Sequence, residues 1–536
     1  MPSSSELVSL RSKPMSSGST GRELVQRAES RELFFAVVGH VGSGTSKVAE
    51  KLKNVLTSRD PGPAFDVEIL KAREELLAWD EAHDRHLQDA TPGTLAYARR
   101  LQDVGDQMRA ARSDHAAVAG ALIRKIRRVR AKKTGRDPSD SGPIRPDGTW
   151  RAYILDSVRH PAEAELLSRI YQDAFVLIGV VCEEDVRERR LSKSKFREAG
   201  ADPVREFMRR DAKAEPRYGQ RVSDAFHLAH FFLDNTEEMM LDKNRSNPHW
   251  NVAEQLSRLK KILSQVEVVR PRVAETAMFA AQGARLRSAC LSRQVGASIA
   301  DDRGNVVALG TNEVPRAGGG VYGTLDESTA EEILDERCFR GNQYCSNNRE
   351  QERIIGEVLA SLKKAEVIDP NVDDHRAMAA LGQSPIGALL EFSRVVHAEM
   401  DALLSLARRG ITVVGTRVFV TTFPCHYCAR HLVGAGVDEV QYIEPYPKSR
   451  ALALHSDAIE TRAAGWAKPS VGGTKVLFRP FVRVAPRLYS RAFTKDRDLK
   501  DARGTLTIGR SEWTEPTHLG QLSYVDLEAQ LAELDA

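Results

Sequence analysis

The sequence predicts an α/β protein of two successive domains, the first a three-layer α/β domain and the second bearing a candidate metal site. Three observations predict it. Phe34, Phe35, Ala36, Val37 and Val38 read as a buried strand that runs directly into the glycine-rich turn Gly39-His40-Val41-Gly42-Ser43-Gly44-Thr45-Ser46, and a helix carrying Val48, Leu52 and Val55 follows. Apolar strand runs alternate with helical stretches through the first half, the order that gives parallel strands covered by helices. In the last quarter, His397-Ala398-Glu399 is followed by Pro424-Cys425-His426-Tyr427-Cys428, a combination of residues able to grip a metal ion.

Bulk properties set the frame. A chain of 536 residues has the length for two or three separately cored domains. Its 78 basic and 74 acidic residues leave a formal net charge of +4, so no global pull toward polyanions is expected. Six cysteines (Cys182, Cys290, Cys338, Cys345, Cys425 and Cys428) are too scattered for a secreted disulfide scaffold and fit a reducing cytoplasm. The longest apolar run, 174–182, is too short to span a bilayer and reads as a buried strand, so no membrane association is expected. Residues 1–28 are Ser-rich without an apolar signal core and are expected to form a disordered leader.

The first domain is expected over 29–245. Strand, glycine-rich turn and helix at 34–55 form the context that a phosphate-cradling P-loop requires, with Gly39, Gly42, Ser43, Gly44, Thr45 and Ser46 supplying the cradle. Thr45 stands where the usual lysine belongs, and Lys47 comes two positions late. Backbone amides can still hold a phosphate, but phosphoryl transfer loses a fixed cation. Ala152 to Asp156 reads as a strand ending in a carboxylate, and another strand ends at Cys182. Arg187, Arg189 and Arg190, the run Gly219-Gln220-Arg221-Val222, and a late strand ending Phe232-Leu233-Asp234-Asn235 resemble the lid and later elements of nucleoside and nucleotide kinases. That resemblance implies a bound nucleotide with magnesium, faced by Asp156.

Two stretches punctuate this domain. Residues 124–133 hold seven basic side chains with Ile126 and Val129 between them, either a contact for RNA or an acidic partner, or simply a solvated basic helix face. Pro, Gly, Asp and Ser cluster at 137–149 as a loop. A linker helix is expected over 246–268.

The second domain is expected over 269–500, with an insertion at 318–390 and a C-terminal tail at 501–536. A helix at 276–286 precedes Ser292-Arg293-Gln294-Val295-Gly296-Ala297, and the turn Asp301-Asp302-Arg303-Gly304-Asn305 leads to a returning strand that ends before Thr311-Asn312-Glu313. His397 is expected to open a helix bearing Met400, Leu403, Leu404 and Ala407. Cys425 and Cys428, three apart, would share one face of the first turn of another, where the helix dipole favours thiolate. A strand-like run is expected over 481–489.

One imidazole and two thiolates give zinc three protein ligands and leave a fourth tetrahedral position for water. Glu399, two residues from His397, is placed to move that water's proton. The alternatives are a structural zinc knuckle, for which His426 or His431 would supply the fourth ligand, and a redox pair. Both halves of the H-x-E and P-C-x-x-C pattern occur in order, which favours the catalytic arrangement of zinc nucleobase deaminases.

The order Arg-Gln-Val-Gly-Ala, hairpin, Gly-Thr-Asn, His-Ala-Glu, Pro-Cys-x-x-Cys resembles the deoxycytidylate deaminase family over 276–446 around the insertion, which implies a cytidine deaminase-like α/β/α domain following the first. With a P-loop kinase-like domain fused ahead of it, the chain resembles the bacterial anti-phage dCTP deaminases, which deplete deoxycytidine nucleotides during infection. This resemblance implies that Asn312 holds the deoxyribose hydroxyl, that backbone groups of Ala398 face the base, and that Arg293, less so Arg316, meets phosphate. Asn312 read as a turn residue with positive φ, and Arg293 read as one half of a structural ion pair, are the alternatives. The resemblance further implies a homo-oligomer and an inhibitory small RNA or protein partner. Cys338 and Cys345, with Asp335, Glu336 and His375 nearby in sequence, are either a second zinc site or two free buried thiols.

Three functions follow. The first is hydrolytic deamination of free dCTP or dCMP in antiviral defence. The second is deamination of cytosine or adenosine in nucleic acid, for which aromatics at 6% that do not interleave with the basic run argue poorly. The third is a bifunctional deoxynucleotide kinase and deaminase, which the displaced lysine disfavours.

Overall fold

The computed structural model describes residues 30–533 apart from 61, 84–86, 88–89, 140–141, 241–244, 246, 324–336, 339–343, 390–391, 447, 496–498 and 508–522. The expected leader, and Asp335 and Glu336, lie outside the described residues. The chain divides into two compact units, Met1–Val269 with Arg491–Ala536, and Arg270–Ser490.

In the first unit, strands β1 (Glu32–Val38), β2 (Asp66–Lys71), β3 (Arg151–Val158), β4 (Phe175–Val181) and β5 (Phe231–Asp234) lie in the order β2-β3-β1-β4-β5, with every pairing among them parallel. Both β1 and β4 are buried at every position, which is why they read as unbroken apolar runs. Register sets Asp156 beside Val37, so the carboxylate at the end of β3 sits next to the strand that feeds the glycine-rich loop.

The basic run at 124–133 is half drawn inward, with Arg128, Lys132 and Lys133 exposed and Arg127 and Arg130 buried. It lies on the helix Ala117–Lys133, and most of its cations are consumed within the unit. Lys125 pairs with Glu74, Arg128 with Glu75, and Lys133 with Asp66 and Glu68. Arg127 donates to the Gly142 carbonyl at 2.7 Å. Arg130 is fully buried between Glu32 and Glu528.

Glu528 belongs to the helix Ser523–Glu533 near the chain's end, where sequence alone had suggested only a tail. Its neighbour Tyr524 donates to Glu32 at 2.9 Å, and Tyr171 donates to Glu528 at 2.9 Å. A buried ionic cluster therefore fastens the last described helix into the first unit's core.

In the second unit, β6 (Gly296–Ala300), β7 (Val306–Thr311), β8 (Arg417–Thr422), β9 (Glu439–Glu444), β10 (Ile459–Glu460) and β11 (Val476–Pro480) lie in the order β10-β11-β9-β8-β6-β7. Strand β6 runs antiparallel to β7 and β8, and the other pairings are parallel. The run at 481–489 is not one strand: a two-residue strand, Arg483–Val484, gives way to the helix Pro486–Phe493, which Pro486 opens with its preset φ. Among the described residues no helix is long and apolar enough to cross a membrane.

Candidate metal centre and its cavity

Two helix N-termini build the centre. His397 is the N-cap of the helix Ala398–Arg408, and Cys425 is the N-cap of the helix His426–Gly434, which follows β8. The first helix is locked against β7 by contact and by hydrogen bonds. A Cβ on Gly310 would lie 2.0 Å from the Ala398 carbonyl oxygen and 2.5 Å from the Ala402 nitrogen, so only glycine lets the helix approach this closely. Thr311 N–H donates to Asp401 Oδ2 at 3.1 Å. Glu313 and Val396 exchange both backbone hydrogen bonds, at 3.2 and 2.9 Å, which fixes the residue directly before His397.

His397 Nδ1 lies 3.3 Å from Cys425 Sγ and 3.4 Å from Cys428 Sγ. The three ligand atoms fall within 4.8 Å of one another, and among the described residues this is the one group of three or more His, Cys, Asp or Glu side chains so arranged. Tetrahedral zinc bonds to one nitrogen and one sulfur imply an edge of about 3.5 Å, so the donor set fits the ion. Neither His426 nor His431 joins the group, and His431 Nδ1 is bonded to the Tyr427 carbonyl at 2.6 Å.

The electrostatics suit a cation. Hydrogen bonding from Cys428, then from His397, holds the Cys425 thiol down to about 4 against the opposing effect of burial. Cys428 is pushed well up by its bond to Cys425 and by burial, so without metal the two sulfurs share a proton that a dication would expel. Glu399 is 4% exposed, and burial raises its carboxyl to about 7 while the nearby His397 opposes the shift. It also hydrogen-bonds Cys428. A carboxyl poised there can both accept and return a proton near neutrality.

His397, Glu399 and Cys425 open into a cavity of about 340 Å³. Asn312 and Arg293 line it. Both polar atoms of the Asn312 side chain serve the backbone: Oδ1 accepts from Val295 N–H and Nδ2 donates to the Arg293 carbonyl, each at 2.6 Å. It is not among the non-glycine residues with positive φ. Arg293 is 3.9 Å from Glu444 and 5.8 Å from the Tyr446 ring centre, a loose pairing that leaves its guanidinium at the cavity. Ala398 is fully buried and outside the lining, and Arg316 is likewise outside it.

Arg394, Phe423, Tyr446 and Lys448 also line the cavity and escaped the sequence reading. A tyrosine held between Pro445 and Pro447 just past a strand end, with a lysine beside it, was the available signal. Cys338 and Cys345 line the cavity as free, half-buried thiols, bonded to Ser346 and Ser292 respectively, and belong to no metal-holding group among the described residues.

The other expected site residues lie in the first unit. Residues 39–44 form the loop after β1, and Thr45 and Ser46 open the helix Thr45–Thr57, with Gly42 and Gly44 at φ of 86° and 85°. Lys47 Nζ sits 5.6 Å from the Trp250 ring centre, turned to an aromatic face. Asp156 is 8% exposed at the end of β3.

Residues 271–444 match the family model of the cytidine and deoxycytidylate deaminase zinc-binding region. ComE operon protein 2 of Bacillus subtilis (strain 168) is 37% identical over 54 residues, and the deoxycytidylate deaminase of Enterobacteria phage T2 is 36% identical over 55. Each alignment covers 10% of this chain and 29% of the relative, so the chain spans under a third of these curated relatives. The crystal structure of a dCMP deaminase from the cyanophage S-TIM5, in complex with dCMP and dUMP, is 17% identical over 40% of this chain and 99% of that one. Its TM-score of 0.23 carries no argument. The second unit is thus similar, across its metal centre, to the zinc-binding region of cytidine and deoxycytidylate deaminases.

Proposed function

We propose that the chain is a zinc-dependent hydrolytic deaminase that converts free deoxycytidine nucleotides, dCTP and also dCMP, to deoxyuridine nucleotides and ammonia. The observation that carries this reading is the cluster of His397, Cys425 and Cys428 beside the buried Glu399, with His397, Glu399 and Cys425 on the wall of one cavity. His397 Nδ1 and the two sulfurs would hold the zinc. When bound, the ion supplies Lewis acidity that brings the ionisation of water toward neutral pH.

Glu399 does the rest of the proton work. Its carboxylate takes a proton from the water whose oxygen adds to C4 of cytosine, and delivers it to N3. The C4–N bond then breaks, and the amino group leaves as ammonia after gaining the second proton of that water. Asn312 holds the 293–295 backbone, and so the Arg293 guanidinium, in place. Arg293, Arg394 and Lys448 give the cavity cations suited to a nucleotide's phosphates.

A nucleic-acid substrate is the weaker reading, because the basic run at 124–133 is largely spent on internal partners. A nucleotide with magnesium at loop 39–46 and Asp156, a homo-oligomer, an inhibitory RNA or protein partner, and a role in antiviral nucleotide depletion rest on the family resemblance. The test is to incubate the purified chain with dCTP, dCMP, CTP and a cytosine-containing oligonucleotide, analyse products, and measure zinc on the same sample. Deoxyuridine nucleotides should appear from the free deoxynucleotides. Turnover of the oligonucleotide alone would reject the proposal.

A further inference from the structure

The glycine-rich loop of the first unit already holds an oxyanion, and that oxyanion is the protein's own. Asp211, 2% exposed near the end of the helix Ala201–Ala212, accepts from Val41 N–H through Oδ2 at 2.7 Å. Its Oδ1 accepts from Arg159 Nη1 at 2.8 Å, and that same nitrogen lies 3.4 Å from the Gly39 carbonyl oxygen. A backbone amide of a loop leading into a helix N-terminus, together with an arginine, is the donor set that binds phosphate oxygens in such loops. Here a carboxylate fills it.

The surroundings carry more donors than the fold uses. Ser43 is 1% exposed, and its hydroxyl has no hydrogen-bond partner. That hydroxyl lies inside the loop, 2.5 Å from where a Cβ on Gly39 would stand. Arg187, whose carbonyl oxygen would meet a Cβ on Gly42 at 2.9 Å, has a buried Nε without an acceptor. Arg221 N–H donates to the Arg159 carbonyl at 2.9 Å, which draws residues 220–221 to this edge of the sheet.

Gln220 Nε2, Arg221 Nε and His160 Nε2 are buried there without partners. His160 Nδ1 accepts from Ala162 N–H, so its neutral ring carries the proton on Nε2 and all three are donors. Arg159 and Arg187 both act on the Asp211 carboxylate, while Glu163 takes up the Arg159 and His160 amides and leaves these donors unmatched. Buried donors of this kind are ordinarily matched, so the surplus points to an acceptor-rich, anionic ligand.

We propose that Asp211 is an internal stand-in for phosphate: it occupies part of the anion seat of loop 39–46, and the polyphosphate of a nucleoside triphosphate enters only by displacing it. Lys47 does not relieve the charge conflict, because it is turned to Trp250. The first unit thereby responds only to a strongly charged ligand that outcompetes a tethered carboxylate. This inference is independent of the deamination reading.

The test titrates inorganic tripolyphosphate, and separately ATP with magnesium, into the full-length chain by calorimetry. Asp211→Asn removes the charge and keeps an oxygen for Val41 N–H, and should bind both probes at least about tenfold more tightly than the unaltered chain. Asp202→Asn, on the same helix but exposed, should match the unaltered chain. Equal affinity in the unaltered chain and Asp211→Asn, or no binding by either, overturns the proposal. Should Asp211→Asn fail to fold by circular dichroism, Asp211→Ser takes its place with the same expected outcomes.

Discussion

Both units set a helix N-terminus at the carboxyl end of a central strand, and they treat it in opposite ways. In the second unit, β8 leads to Cys425 at the start of its helix, and the sulfurs there face His397 at the wall of an open cavity. In the first, β1 leads to loop 39–46, and the carboxylate of Asp211 accepts from the Val41 amide within it. The same positive pole can hold a ligand or hold the fold together. Which one occurs depends on whether a distant side chain reaches in to neutralise it.

The comparison breaks most sharply at the metal centre. Cys428→Ala should abolish stoichiometric zinc, measured by elemental analysis, and all deoxynucleotide turnover with it. Glu399→Gln should instead keep zinc and lower turnover by about 10²–10⁴, the usual worth of a positioned acid–base group. Loss of zinc in Glu399→Gln, or its retention in Cys428→Ala, would mean that the triad is not the ligand set.

The next effect is in the first unit. Glu528→Ala leaves the fully buried Arg130 with Glu32 as its remaining carboxylate partner among the described residues, and should cost about 3–5 kcal/mol in urea unfolding of that unit. Zinc content should not change. A cost near zero would show that the C-terminal helix is dispensable to the core it enters.

The smallest effect is a pH slope. Burial, then Arg187 and Arg159, lowers His40 to about 3; burial, then Arg109, His115 and Arg221, lowers His160 to about 3. An unfolded histidine titrates near ~6.5. Below that value the unfolded chain gains protons that the folded rings refuse until about 3, so the stability of the first unit falls as pH drops through this window. Urea midpoints at about pH 7.5 and about pH 5 should differ in that sense, and His40→Gln should flatten the difference. A flat profile in the unaltered chain would mean that these rings charge freely.

Much of this was legible in one dimension. Strands β1, β3 and β4 are apolar runs because parallel strands are buried on both faces, and the metal triad is visible because its spacing follows from helix geometry. Charge counts do not reveal the partners of the basic run: Glu74, Glu75, Asp66 and Glu68 come from distant sequence. Asn312 stood out through the family resemblance of its Gly-Thr-Asn stretch, yet both of its amide atoms serve backbone that only the fold brings near.

By itself the sequence determined the two α/β units, the glycine-rich loop and the three candidate metal ligands, because each is encoded by local periodicity or short spacing. Only the tertiary structure decided which cations are spent, that the last described helix completes the first unit's core, and that Asp211 meets the loop at the Val41 amide. Those outcomes depend on side chains up to 492 residues apart meeting in low-dielectric surroundings, and no local pattern records such a meeting.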